Sequence, residues 1–503
     1  MKNNILFVIF CILMGTELIY PQNEGFILST DGTGPYYPAY TGNGYFSITS
    51  TRSGLSPAQS YMIKVYAKGK NDIPRIAELP SWNEIKLSTG AVSLEDAFSG
   101  DSVSGQISGY KQTLDMYNGT IETNYTWNSK GQTADIFTRS FVSRADKNTA
   151  AVRLEIVPHF KAGIVLEFPL EERANYKRMP LAKLKEIKGD TTGQWPVVWY
   201  PGFIHVKNVK ISGKNSSSIL QLVSQCEGSN TKVALAAAVM YEGSAVINIS
   251  SSSVRKSGSI IVQFAAEPGK KYVFNKIIAA SANVTDGTGF ENTVTEACRK
   301  AVSSGYARLF EGHKAAWQKL WQTDIITEGD ILFQKAIHSS MFYLLSSIED
   351  STGFSIPPMG LSSCGYYGHI FWDADTYMFP PLLLMHPGMA ESMVMFRFGA
   401  LKAAMENAKK NKYTGAMYPW ESDEKGNETT PFFAYQNALK ENHIVGDVAL
   451  AQWQYFLATK DTAWLRNYGS KVIFATADFW TSRVDYNSKL DRYEIGRLVS
   501  VNE

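Results

Sequence analysis

The sequence predicts an α+β chain of two unlike halves, with antiparallel strands first and helices after them. Three observations carry this. From about Gly25 to Ala282, short alternating apolar runs are punctuated by Gly, Asn and Ser. Near Gly287 the apolar period lengthens to that of a helix. After Asp324, long helical runs alternate with loops rich in Gly, Pro and aromatic residues. At 503 residues the chain has room for two or three domains.

The first element is a leader. One Lys precedes an apolar run from Ile5 to Met14, which is too short to span a bilayer and fits a secretory signal over residues 1–22. Six Asn-x-Ser/Thr triplets, at Asn118, Asn124, Asn215, Asn248, Asn283 and Asn427, agree with a secreted or lysosomal glycoprotein. Outside the leader lie Cys226, Cys298 and Cys364, so at most one internal disulfide can form. A net charge of +2 with no basic run gives no sign of nucleic-acid binding. No later run is long and apolar enough for a membrane helix. No Cys/His spacing suits a metal and no Gly-rich loop suits a phosphate, so no cofactor is expected. Oligomeric state is not legible.

The strands come next, over residues 23–288. YFSITSTR, SYMIKVYA, AVRLEIVP, GIVLEFPL, VALAAAVM and SIIVQFAA each alternate or run apolar between turn residues. This span exceeds one ordinary sandwich of about 100 residues, so a large double-layered one is expected. A helical linker follows over 289–324, read as a single helix from Phe290 to Trp321. Its Ala316, Trp317, Leu320 and Trp321 recur at helical spacing and form a core-facing stripe. Residues 325–503 are read as helices of an α/α barrel or toroid. Ile331 to Ile348 is apolar nearly all round and should be buried on most faces. Helices are also expected over Met389–Asn411, His443–Thr459 and Asp461–Arg483, the last with Asp461 as N-cap.

Chemistry concentrates in the loops. Pro357 to Pro380 holds His369, Trp372, Asp373, Asp375 and three tyrosines among glycines and prolines, a shaped loop leading into a helix. An aromatic face beside carboxylates suits a sugar, whose C–H face stacks and whose hydroxyls donate to acidic oxygens. A second loop, Tyr413 to Pro431, repeats the pairing as Trp420-Glu421. Its Asp423 and Glu424 read as a solvated acidic loop, while Glu428 adds a further carboxylate. Glu441, before His443, either favours a helix N-terminus or meets a sugar hydroxyl.

These segments together resemble glycoside hydrolase family 65. The motifs are GLSSCGYYGHIFWDADTYMFPPLLL, MFRFGALKAAMENAKKNKYTGAMYPWES, GNETTP and ENHIVGDVALAQWQYF. The resemblance implies a β supersandwich, a helical linker and an (α/α)6 barrel, of which these residues hold the first part. It implies an inverting α-glucosidase, needing a carboxylic acid to protonate the leaving oxygen and a carboxylate to activate water. It assigns Trp372 and Asp373 to the glucosyl subsite and Trp420 and Glu421 to the pocket wall. Glu503 takes the place of the general acid, and the base is expected beyond it in a longer enzyme. The FWDADTYMFP wording is most like the family members that remove glucose from glucosylgalactosyl-hydroxylysine. The expected partner is therefore a glucosyl disaccharide or glycopeptide, with trehalose as the alternative.

Overall fold

The computed structural model describes residues 24–70, 72–90, 92–98, 105–173 and 201–501. The leader expected over residues 1–22 and the expected acid Glu503 lie outside the described residues.

Two antiparallel sheets face each other through one apolar core. Among the described residues the larger has nine strands. Their order in space is Ile27–Thr30, Ile107–Asp115, Thr120–Ser129, Gln132–Val142, Thr149–Pro158, Tyr272–Ala282, Lys232–Tyr241, Ile219–Cys226 and Ile204–Ser212. The smaller has five, ordered Asn248–Val254, Ser257–Ala265, Gly163–Glu171, Lys86–Thr89 and Val92–Ser93. Alternation sets the faces: Ile164, Leu166, Phe168 and Leu170 all point into the core. Tyr272–Ala282 is buried along its whole length, because both of its faces are covered. One face meets the smaller sheet. Against the other, Phe290, Val294 and Cys298 of a helix pack on Ala234, Ala236, Ala238 and Ala279. Small side chains on this strand face let the helix approach closely.

That central strand carries Lys276, fully buried. Its Nζ donates to the carbonyls of Pro169 at 2.7 Å and Glu84 at 2.9 Å. Two acceptors match the two N–H bonds of a neutral amine. Burial holds its ammonium form down to about 7. Between pH 7 and the unfolded lysine's range, the unfolded chain binds the extra proton, so stability rises with pH. Urea unfolding from pH 8 to 9.5 should therefore gain up to about 1.4 kcal/mol per pH unit from this group. In Lys276→Met that part of the slope should vanish.

The linker is two helices, Phe290–Ser304 and Tyr306–Leu320, where one was expected. Gly305 separates them at φ +79°, its N–H closing the first helix on the carbonyls of Ala301 and Val302. The aromatic stripe is core, as expected. Trp317 is wholly buried and stacks on Phe342 at 4.7 Å. A Cβ on Gly119 would lie 2.0 Å from the Trp317 Nε1 atom, so this approach requires glycine. Beside it, Arg144 donates to the carbonyls of Leu345 at 2.8 Å and Ile348 at 3.1 Å, closing the next helix from the sheet side.

That helix, Ile331–Ser347, begins on the Asp330 side chain, which accepts from the N–H groups of Leu332 and Phe333. It is not buried on most faces at its start. Leu332 and Phe333 are 72% and 56% exposed, while Gln334 and His338 are buried. The cause is what faces it. Gly25 and Ile325 present carbonyls that require partners, and His338 and Gln334 meet them at 2.9 and 2.8 Å.

Helices Pro387–Gly399, Leu401–Lys410, His443–Thr459 and Ser470–Arg483 follow. Asp461 is an N-cap as expected, accepting from the Trp464 N–H at 2.8 Å. Cys226, Cys298 and Cys364 are buried, and among the described residues the one disulfide that their number allowed is not formed.

Candidate active site

The two aromatic-carboxylate loops are zipped together. Ile370 and Ser422 exchange backbone hydrogen bonds at 2.9 and 3.0 Å, and the Thr429 N–H donates to the Glu421 carbonyl at 3.0 Å. This sets Phe371-Trp372-Asp373 beside Trp420-Glu421. Trp372 and Trp420 share an apolar cluster with Tyr418, Ala400, Ile444 and Val448, so the helix His443–Thr459 backs the site. The chain turns helical at Asp373, then winds through a π-turn over Ala374–Met378. Pro380 and Pro381 follow, bringing no N–H to the next turn.

Trp372 meets the ring of His443 edge to face, 4.8 Å away at 87°. Tyr377, largely exposed, lies 5.5 Å from Trp372 on a tilt. Asp373 is half-buried, and no described side chain pairs with its carboxylate. Burial pushes its carboxyl above the usual range, helped by the charge of Asp375. Asp375 itself is committed elsewhere. It is buried and takes both its oxygens to Arg397, whose Nε donates at 3.2 and 3.0 Å. Arg397 also donates to the Phe371 carbonyl at 2.9 Å, fixing the backbone just before Trp372.

His443 sits between two carboxylates, with Asp447 at 2.7 Å from Nδ1 and Glu441 at 3.2 Å from Nε2. Glu441 therefore serves this histidine, beyond either role its position suggested. Burial raises the Asp447 carboxyl, while His443 pulls it back.

Trp420 stands edge-on to Phe371 at 5.1 Å. Glu421 is 2% exposed and bonds His369 Nδ1 at 2.8 Å. His369, wholly buried, meets the Pro74 carbonyl with Nε2 at 2.6 Å. A carbonyl only accepts, so Nε2 carries a proton, and Nδ1 shares a single further proton with Glu421. Burial raises the Glu421 carboxyl, and the bond to His369 opposes that rise.

The acidic loop is not solvated as expected. Asp423 is buried and accepts from the N–H groups of Lys425 and Asn427, each at 2.9 Å, and from the Asn427 amide. Glu424 is half-buried, and the Glu428 carboxylate accepts from the Thr430 N–H at 2.8 Å. The turn closes on itself through Gly426 at φ +81°, so its donors need an internal acceptor. The same bonds engage the amide of the Asn427 triplet.

Sequence reasoning missed Arg397, Asp447 and the partnership of His369. Arg397 stands alone in the apolar run MVMFRFGA, a pattern that marks a buried, paired charge. His443 and Asp447 are four apart on one helix, also a readable signal. His369 and Glu421 are 52 residues apart, and nothing local links them. Among the described residues, no group of His, Cys, Asp and Glu is disposed to hold a metal.

Residues 34–320 match the pattern of "Glycosyl hydrolase family 65, N-terminal domain", and residues 338–503 that of "Glycosyl hydrolase family 65 central catalytic domain". A kojibiose hydrolase of Flavobacterium johnsoniae is 31% identical over 510 aligned positions, covering 100% of this chain and 68% of the relative. A protein-glucosylgalactosylhydroxylysine glucosidase of Dictyostelium discoideum is 40% identical, but over 200 residues, 39% of this chain and 28% of the relative. A solved putative kojibiose phosphorylase from the human microbiome shares the fold with a TM-score of 0.77 at 16% identity. It is matched over 95% of this chain and 62% of its own length. The shared fold is a sheet-rich N-terminal region followed by a helical one.

Proposed function

Because this chain belongs to glycoside hydrolase family 65, we propose that it releases the terminal glucose of an α-1,2-linked glucosyl disaccharide by hydrolysis. One observation carries the reading. Asp373 keeps a half-buried carboxylate, unpaired by any described side chain, at the position next to Trp372 in the chain. A desolvated carboxylate costs free energy unless something bonds it, and a sugar hydroxyl is the partner that an adjacent aromatic face selects.

In this reading Trp372 and Asp373 hold the glucose to be released, with Trp420 forming part of the wall. Glu421 acts through His369, holding the wall in place. Glu503 protonates the leaving oxygen. The preference for an α-1,2 linkage rests on chain-long similarity to a kojibiose hydrolase, since kojibiose is glucose α-1,2-linked to glucose. The glycopeptide glucosylgalactosyl-hydroxylysine is the second substrate of that linkage to test. The leader-like residues 1–22 support a secretory route.

The test is sugar release from kojibiose, glucosylgalactosyl-hydroxylysine and trehalose, with and without phosphate. Free glucose from the two α-1,2 substrates, independent of phosphate, is expected. Glucose 1-phosphate formed only with phosphate would make it a phosphorylase. Turnover of trehalose alone would make it a trehalase, and binding without turnover would leave a sugar-binding role.

A further inference from the structure

Tyr366, Tyr367 and Gly368 take three successive left-handed conformations, at φ +51°, +59° and +72°. A tyrosine is costly there, because its Cβ crowds the carbonyl oxygen. Such strain persists only where the surroundings over-determine it. Here the sheet-rich half does so at four points. The Tyr66 hydroxyl donates to the Gly368 carbonyl. A Cβ on Gly368 would lie 2.6 Å from Ile76 Cβ, so the turn is pressed against the strand Arg75–Glu78. The Arg75 guanidinium lies 4.3 Å over the Tyr367 ring, and the Pro74 carbonyl holds His369.

This bracing buries Tyr367 and leaves Tyr366 42% exposed. The Tyr366 ring meets Phe371 edge-on at 5.5 Å, and Phe371 meets Trp420 at 5.1 Å. Tyr366 thus continues outward the aromatic wall that includes Trp420. A turn of this shape is served without strain by glycine, so the phenol ring at this position answers a need other than the turn itself.

We propose that Tyr366 is the stacking platform for the sugar on the leaving side of the scissile bond, a hexose bound through its C–H face. The proposal rests on the glucosidase reading above. It makes Tyr366 a specificity residue for the second sugar and gives it no part in holding the released glucose.

The test compares Tyr366→Gly and Tyr366→Phe with the unaltered full chain, following tryptophan fluorescence on titration with glucose and with kojibiose. Tyr366→Gly should melt no lower than the unaltered chain, since the strain is relieved. It should bind glucose unchanged and kojibiose about 10-fold more weakly, the worth of one aromatic contact. Tyr366→Phe should leave both affinities unchanged. An unaltered kojibiose affinity in Tyr366→Gly, or equal losses for both sugars, would overturn the platform alone. An unaltered chain that binds neither sugar would overturn the glucosidase reading and the platform with it.

Discussion

Arg397→Met is expected to destabilise the chain by about 3–5 kcal/mol, the cost of leaving a buried charge without its partner. Asp375 is buried, and the bonds to its oxygens come from Arg397. The substitution also strips a donor from the Phe371 carbonyl, one residue before Trp372. Denaturant unfolding should show the loss as an earlier midpoint with little change in slope. Adding Asp375→Asn to Arg397→Met should restore part of it, since the residual group is then neutral. A double-mutant cycle reads that coupling directly, because the two side chains are in contact. If Arg397→Met costs less than about 1 kcal/mol, water reaches the pair and the site has no buried anchor beneath it.

Asp373→Asn should do the reverse, weakening function while sparing the fold. The Asp373 carboxyl is raised by burial and by the like charge of Asp375, so its ionised form is a burden on the folded chain. Removing that charge should leave stability unchanged or raise it slightly. Sugar affinity should fall by about 10- to 100-fold, the worth of one hydrogen bond to a charged group. Calorimetric titration with glucose, alongside a melting curve for the same variant, separates the two effects. A variant that loses stability and keeps its affinity would make Asp373 a structural residue.

Much of the fold was legible because alternation and helical spacing are local. Gly163–Glu171 and Lys232–Tyr241 read as strands from their own residues, and the Trp317 stripe read as core from its spacing. The failures share a physical cause. Leu332 and Phe333 turn outward because two backbone carbonyls, distant in sequence from the helix or in a preceding loop, require Gln334 and His338. Asp423 is buried because its own turn closes on it. Gly305 divides the linker through a left-handed φ that a helical pattern tolerates on paper. In the site, the Trp-Asp and Trp-Glu pairs stood out by composition. The partners that orient them, Pro74 for His369 and His369 for Glu421, come from other segments and leave no mark on the local pattern. The order of a sheet-rich region followed by a helical one was therefore readable, whereas the wiring between their loops was not.

The four contacts that pin residues 366–369 have a practical meaning for engineering. Tyr66, Pro74, Arg75 and Ile76 belong to the sheet-rich half, yet they set the shape of a loop in the helical half. The two halves are thus not interchangeable modules. A chimera that took its first 282 residues from a relative would inherit a foreign mould for this loop. Grafts across the family should carry residues 66–76 and 365–373 as one cassette, even though nearly 300 positions of chain lie between them.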